Sequence, residues 1–368
     1  MERILVVKVG TSTVATPHGL NGKALMRLAG AVSDLAERGW RTLIVTSGAV
    51  GAGRARLGMT EKPRTIASKQ AAAAVGQGLL MHAYETFLAP LGLASAQLLL
   101  TRADLADRQR YLNASNTLRA LLDHDVRVVP IINENDSVAI DELKFGDNDT
   151  LSALVAQLVD ADWLAILSDV DGLYDKNPHQ HPNAALIPEV AELTPEIEAL
   201  AGGAGSDVGT GGMVTKLAAA RIATSSGIPM ALMAGQDPAQ LVALAEGRTV
   251  RGTIFRARED RLEARKRWLA FGMGVRGTLS LDEGAVRALV QDHKSLLPAG
   301  IRAVEGDFLP GETVSLRDAA GRELARGIAN YGASELRRIQ GRKSSEVEAL
   351  LGFKVADEVI HRDNLVIL

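Results

Sequence analysis

Eight consecutive residues carry a dense chemical signal: Gly209, Thr210, Gly211, Gly212, Met213, Val214, Thr215 and Lys216, running straight into the Ala-rich stretch 217–223. A glycine-rich turn that feeds a helix presents unpaired backbone N–H groups at the positive end of the helix dipole, which suits a phosphate. Lys216 adds a mobile positive charge. A plain flexible loop ahead of a helix has the same composition. The segment is not a Walker A loop, because no Gly-Lys-Ser/Thr follows a GxxxxG pattern in the chain.

Five further clusters carry chemistry. Lys8 lies within an apolar run and is followed by Gly10, Thr11 and Ser12. A lysine inside a buried strand is costly unless it meets an anion; an exposed edge strand is the alternative. Ser47, Gly48 and Ala49, with Gly51 and Gly53, follow a second apolar run, where glycines permit close backbone approach or form an ordinary turn. Asn133-Glu134-Asn135-Asp136 and Gly146-Asp147-Asn148-Asp149 are acidic-amide clusters. Carboxylates orient lysines or bind an ammonium and amides bind a carboxylate, while Asn148 or Asp149 also suits a helix N-cap. Ser168-Asp169 with Gly172-Leu173-Tyr174 closes a further run, as a ligand loop or an Asp-Gly turn.

These residues need elements to bring them together. Apolar runs at 4–9, 42–46, 94–100, 126–132, 163–167 and 230–233 alternate with helical patterns at 22–37, 65–88, 113–122, 151–159 and 212–225. Strand–helix–strand repetition predicts an α/β fold, a mostly parallel sheet sandwiched by helices, whose ligands bind beyond the carboxyl ends of the strands. Gly10 to Ser12, Ser47 to Ala49, Asn133 to Asp136 and Ser168-Asp169 each follow a predicted strand. The alternation covers residues 1–255; an Arg-rich linker at 256–274 leads to a small β-rich domain at 275–353 and a C-terminal tail at 354–368. Residues 361–367 have the makings of one more strand. Gly272-Met273-Gly274-Val275-Arg276-Gly277 matches GxGxxG, yet it leads into an extended segment and lies outside the alternating region, which argues against a dinucleotide site.

Composition narrows the field. The chain has 368 residues, 23% charged and 46% hydrophobic, with a net charge of −3 and no cysteine. Disulfides and Cys-ligated zinc are therefore excluded. The histidines show no paired ligand spacing, so no protein-built metal site is expected. No run approaches the ~18–20 apolar residues of a membrane span, and a cytoplasmic protein is expected.

Lys8 to Ser12, 45–49, 132–136, Gly146 to Asp149, Ser168-Asp169 with 172–174, and 209–216 occur in the order and spacing of the amino acid kinase family, which the chain resembles over its whole length. Leu281 to Ala285, 295–301 and Gly311-Glu312 resemble a PUA domain. The resemblance implies the amino acid kinase fold with a C-terminal PUA-like domain. It also implies ATP-dependent phosphorylation of the γ-carboxylate of L-glutamate, the first step of proline biosynthesis, with Mg2+ as cofactor. Lys8 and Lys216 would stabilise the transition state and Asp149 would hold both. Ser47, Asp136 and Asn148 match substrate-binding positions. Lys8, Ser168, Asp169, Thr210, Gly211, Gly212, Met213, Val214, Thr215 and Lys216 match nucleotide-binding ones. Proline as feedback inhibitor, a homo-oligomer and transient handover to glutamyl phosphate reductase are implied by analogy.

Two alternatives stand beside this reading. A sibling kinase would phosphorylate acetylglutamate, aspartate, carbamate or a phosphorylated nucleoside; Asp136 and its amide neighbours favour a free α-ammonium. An RNA-binding role for the PUA-like region is the other. From Ala270 onward there are 13 Lys or Arg against 14 Asp or Glu, a balance of −1 that lacks the footprint of a nucleic-acid binder. No nucleic-acid or membrane partner is expected.

Overall fold

The apolar runs become strands, all but the half-buried edge strand at 94–100 largely buried on both faces. A computed structural model describes residues 3–16, 18–61, 63–138, 148–178, 180–202, 212–257 and 275–368. It divides into two compact units, 1–259 and 260–368. Residues 258–274, most of the expected linker and the first half of the GxGxxG match, lie outside the described residues.

In the first unit, β1 (Arg3–Val9), β2 (Trp40–Thr46), β3 (Ala94–Leu100), β4 (Val128–Glu134), β5 (Trp163–Ser168), β6 (Glu189–Val190), β7 (Met230–Ala234) and β8 (Gly252–Phe255) form an eight-stranded sheet. The strand order is β6-β8-β7-β5-β1-β2-β4-β3. Every pairing is parallel except β7 with β8. Six helices matter for the site: α1 (Gly22–Glu37), α2 (Ala49–Arg56), α3 (Ile66–Leu88), α4 (Arg108–Leu122), α5 (Asn148–Val159) and α6 (Met213–Ser225).

Side chains of a strand alternate between faces. Leu5, Val7 and Val9 of β1 enter one core with Leu25, Leu28 and Leu35 of α1 and Leu80 and Leu88 of α3. Val6 enters the opposite core with Leu118 of α4, Leu151 and Val155 of α5, and Leu217 and Ala220 of α6. Lys8 is two residues from Val6 and so shares the face covered by α5 and α6. The sheet is thus sandwiched, as the alternation predicts.

Boundaries differ where caps intervene. Helix α4 starts five residues before the expected 113, because Asp107 caps it by accepting from the Arg110 amide at 2.9 Å. Helix α5 starts at Asn148 rather than at the expected 151, so Asp149 belongs to its first turn. Among the described residues no helix is long and apolar enough to cross a membrane.

The second unit has its own sheet: β9 (Gly277–Leu281), β10 (Ile301–Gly306), β11 (Thr313–Arg317), β12 (Glu323–Ile328) and β13 (Leu365–Ile367), in the order β10-β9-β11-β12-β13. Strand β13 comes from the tail and pairs antiparallel with β12. Val359 and Ile360 of the same tail are buried in this unit's core with Leu316, Tyr331 and Leu336.

Candidate active site

The parallel register aligns the strand ends. Val9 of β1 sits opposite Thr46 of β2 and Leu167 of β5, and Ala234 of β7 opposite Ser168 of β5. Each strand therefore releases its chain at one rim, where Gly10, Ser47, Asp169 and Gly235 follow. Gly48 begins α2 at φ 100°, and a Cβ there would meet Val14 at 2.8 Å, so glycine is required for the turn.

Asp149 is the hub of this rim. Its carboxylate is fully buried and bridges two lysines, with Lys8 Nζ 2.5 Å from Oδ1 and Lys216 Nζ 3.3 Å from Oδ2. Lys8 and Lys216 are themselves only 7% and 5% exposed. The Thr215 hydroxyl donates to Oδ2 at 2.8 Å. Burial pushes the Asp149 carboxyl up, but Lys8 and Lys216, with hydrogen bonds from Lys8 and Thr215, outweigh it and hold the group below 3.8. Asp149 stays ionised. It is not a helix cap; it fixes two ammonium groups that come from a strand and from a helix start 208 residues apart.

Beside the hub lies a cluster of amides. Asn148 Nδ2 donates to the Thr46 carbonyl at 2.6 Å, to Ser47 Oγ at 3.0 Å and to Asn133 Oδ1 at 2.9 Å. Asn133 Nδ2 donates in turn to Gln77 Oε1 at 2.9 Å. Ser47 and Asn148 are thereby brought together, and Asp136 is half-buried in the turn after β4. The expected site residues omit Asn133 and Gln77. Gln77 has a local signal, a lone amide in the small-residue run 71–78, but its partner is 56 residues away.

On the other side, Ser168 is buried at the end of β5 and donates to Asp169 Oδ1 at 2.9 Å, while its carbonyl accepts from Gly235 N at 2.7 Å. Gly212 is the N-cap of α6 and supplies no side-chain cap, and the first-turn N–H groups that follow have no partner within the helix, which suits an anion. Val214 is exposed. Thr210 and Gly211 lie outside the described residues. Thr215, expected at the nucleotide, is shared with the hub through its bond to Asp149.

Residues 3–233 match the amino acid kinase family and residues 277–351 the PUA domain. The chain belongs to the amino acid kinase family. Glutamate 5-kinase of Moorella thermoacetica is 56% identical over 367 residues, covering 100% of this chain and 96% of that protein. Glutamate 5-kinase of Caldanaerobacter subterraneus subsp. tengcongensis is 49% identical over 99% of this chain and 97% of its own length. The same enzyme of Microcystis aeruginosa is 50% identical over 100% and 97%. Within the amino acid kinases, the chain therefore groups with the glutamate 5-kinases.

Among the described residues no three His, Asp or Glu side chains gather as metal ligands. Both oxygens of Asp149 already face lysines.

Proposed function

We propose that the chain transfers the γ-phosphoryl group of ATP to the γ-carboxylate of L-glutamate, giving L-glutamyl 5-phosphate and ADP for proline biosynthesis. The observation that carries this reading is the Lys8–Asp149–Lys216 bridge at the carboxyl rim of the sheet; the full-length likeness to glutamate 5-kinases supports the choice of acid.

The nucleophile is already an anion, so no general base is needed. A carboxylate oxygen of glutamate attacks the γ-phosphorus as the bond to the ADP oxygen breaks, and catalysis reduces to in-line positioning and charge neutralisation. Lys8 and Lys216 flank the transferring group, and Asp149 holds them in place. Ser47, Asp136 and Asn148 bind glutamate. Ser168, Asp169 and the 210–216 segment bind the nucleotide. Mg2+ bound with the triphosphate would supply further neutralisation of the phosphate charge, beside that of Lys8 and Lys216.

Trapping the acyl phosphate with hydroxylamine tests the reading. Glutamate should yield a hydroxamate in the presence of ATP and Mg2+. Lys8→Met or Lys216→Met should lower turnover about 10²–10³-fold with the fold retained. A hydroxamate from acetylglutamate but not glutamate rejects the substrate, and near-normal turnover in either variant rejects that lysine's role.

The same proposal includes a cytoplasmic homo-oligomer, inhibition by proline and handover of the labile product to glutamyl phosphate reductase. If proline occupies the glutamate site, raising glutamate relieves inhibition; inhibition independent of glutamate contradicts that part.

A further inference from the structure

The amide cluster leaves two buried polar atoms unmet. Gln77 Nε2, a donor, and Asn148 Oδ1, an acceptor, are both shielded from water and have no hydrogen-bond partner among the described residues. Buried polar groups are almost always paired, so each calls for an explanation.

The orientation of every amide in the cluster is dictated by one backbone group. The Glu134 N–H donates to Asn133 Oδ1 at 2.9 Å, which turns the Asn133 NH2 toward Gln77. Gln77 must therefore present its carbonyl to Asn133 and its NH2 elsewhere. Asn133 Oδ1 also accepts from Asn148, and the Thr46 carbonyl accepts from the same Asn148 NH2. Reversing Asn148 would set its oxygen against those two acceptors. A donor and an acceptor are thus left over, each one hydrogen bond away from Asn133, which is 2% exposed.

Opposite unmet groups on the two amides that flank Asn133 suit a zwitterion. A free amino acid brings a carboxylate that needs a donor and an ammonium that needs an acceptor. The reacting carboxylate must lie at Lys8 on β1. Gln77 is tied to Asn133 on β4, two strands away, roughly 10 Å at ~4.8 Å per strand. The non-reacting end of the substrate falls on that side.

We propose that Gln77 donates its Nε2 hydrogens to the α-carboxylate of the amino-acid substrate, Asn148 Oδ1 accepts from the α-ammonium, and Asn133 is the positioning residue that orients both. The assignment rests on the reading of the site as an amino acid kinase acting on a carboxylate substrate. The position of Gln77 is set by helix packing: a Cβ on the adjacent Gly76 would lie 1.7 Å from the Ala49 carbonyl, and one on Gly53 1.8 Å from the Ala72 carbonyl. Helices α2 and α3 thus cross at backbone contact, with α2 starting just after Ser47 and α3 carrying Gln77.

The test pairs glutamate with 4-aminobutanoate, the same molecule without its α-carboxylate, as substrates or, where turnover is too slow, as competitors. Gln77→Met should raise KM for glutamate roughly tenfold, leave KM for ATP unchanged, and shrink the preference for glutamate over 4-aminobutanoate by the same factor. Gln77→Glu, which preserves size and adds a repelling charge, should penalise glutamate more and 4-aminobutanoate less. Circular dichroism melts confirm that each variant is folded, and either one suffices. Equal losses on both ligands, or an unchanged KM for glutamate, overturn the assignment. If the wild type uses acetylglutamate instead, the preceding functional reading fails, while Gln77 is still read from acetylglutamate against 4-acetamidobutanoate.

Discussion

A carboxylate taken wholly out of water is sustained by its partners, and Asp149 has two ammonium groups and a hydroxyl. Removing its charge strands two buried lysines beside one another, a loss of roughly 3–5 kcal/mol of stability by comparison with other broken buried pairs. Its titration also couples folding to acid. The folded carboxyl titrates below its ordinary 3.8, so its stabilisation is fully present above about pH 4 and is lost as pH falls through the folded-state value. Denaturant unfolding of the wild type should therefore weaken below about pH 4 with a slope that Asp149→Asn lacks. Equal acid slopes in the two proteins would show that the hub does not titrate as described.

At the scale of elements, the crossing of α2 and α3 decides where the amide cluster sits. Gly76→Ala must push a Cβ into the Ala49 carbonyl, and backbone cannot yield as a side-chain tip would. The expected cost is about 1–3 kcal/mol. KM for the amino acid should rise as Gln77 shifts. Gly78, two residues along α3, faces open space, so Gly78→Ala should stabilise by up to about 1 kcal/mol and leave KM alone. Chemical denaturation with steady-state kinetics separates the two; similar behaviour of both variants would contradict a packing role for Gly76.

At the scale of the whole molecule, two units carry separate cores. In the second, the Tyr331 hydroxyl accepts from Val355 N at 3.1 Å and Ala356 N at 3.0 Å and donates to the Ala356 carbonyl, pinning the tail that supplies β13. Tyr331→Phe removes these bonds and should cost about 1–3 kcal/mol in the unfolding of the second unit. Calorimetry should show that transition lowered and the first unit's transition unmoved, since each unit has its own core. A matching drop in both would mean that the units unfold as one.

The amino-acid sequence by itself carries the alternation of apolar runs and helical stretches, hence the parallel sheet, and the small polar clusters after the strands. Helix α1 was legible to the residue and β3 likewise, because their periodicity and flanking breakers are local. The start of α4 was not, since it depends on the Asp107 cap. Lys8, Asp149 and Lys216 were each readable as chemistry-bearing residues, and the resemblance linked them. What only the tertiary structure decided is that one carboxylate touches both lysines and that Glu134 N orients Asn133, Gln77 and Asn148. Those contacts join β1, α5 and α6, or β4, α3 and α5, across 15 to 141 positions of chain. No window of sequence contains both ends of such a contact; the sheet register and the helix crossing bring them together.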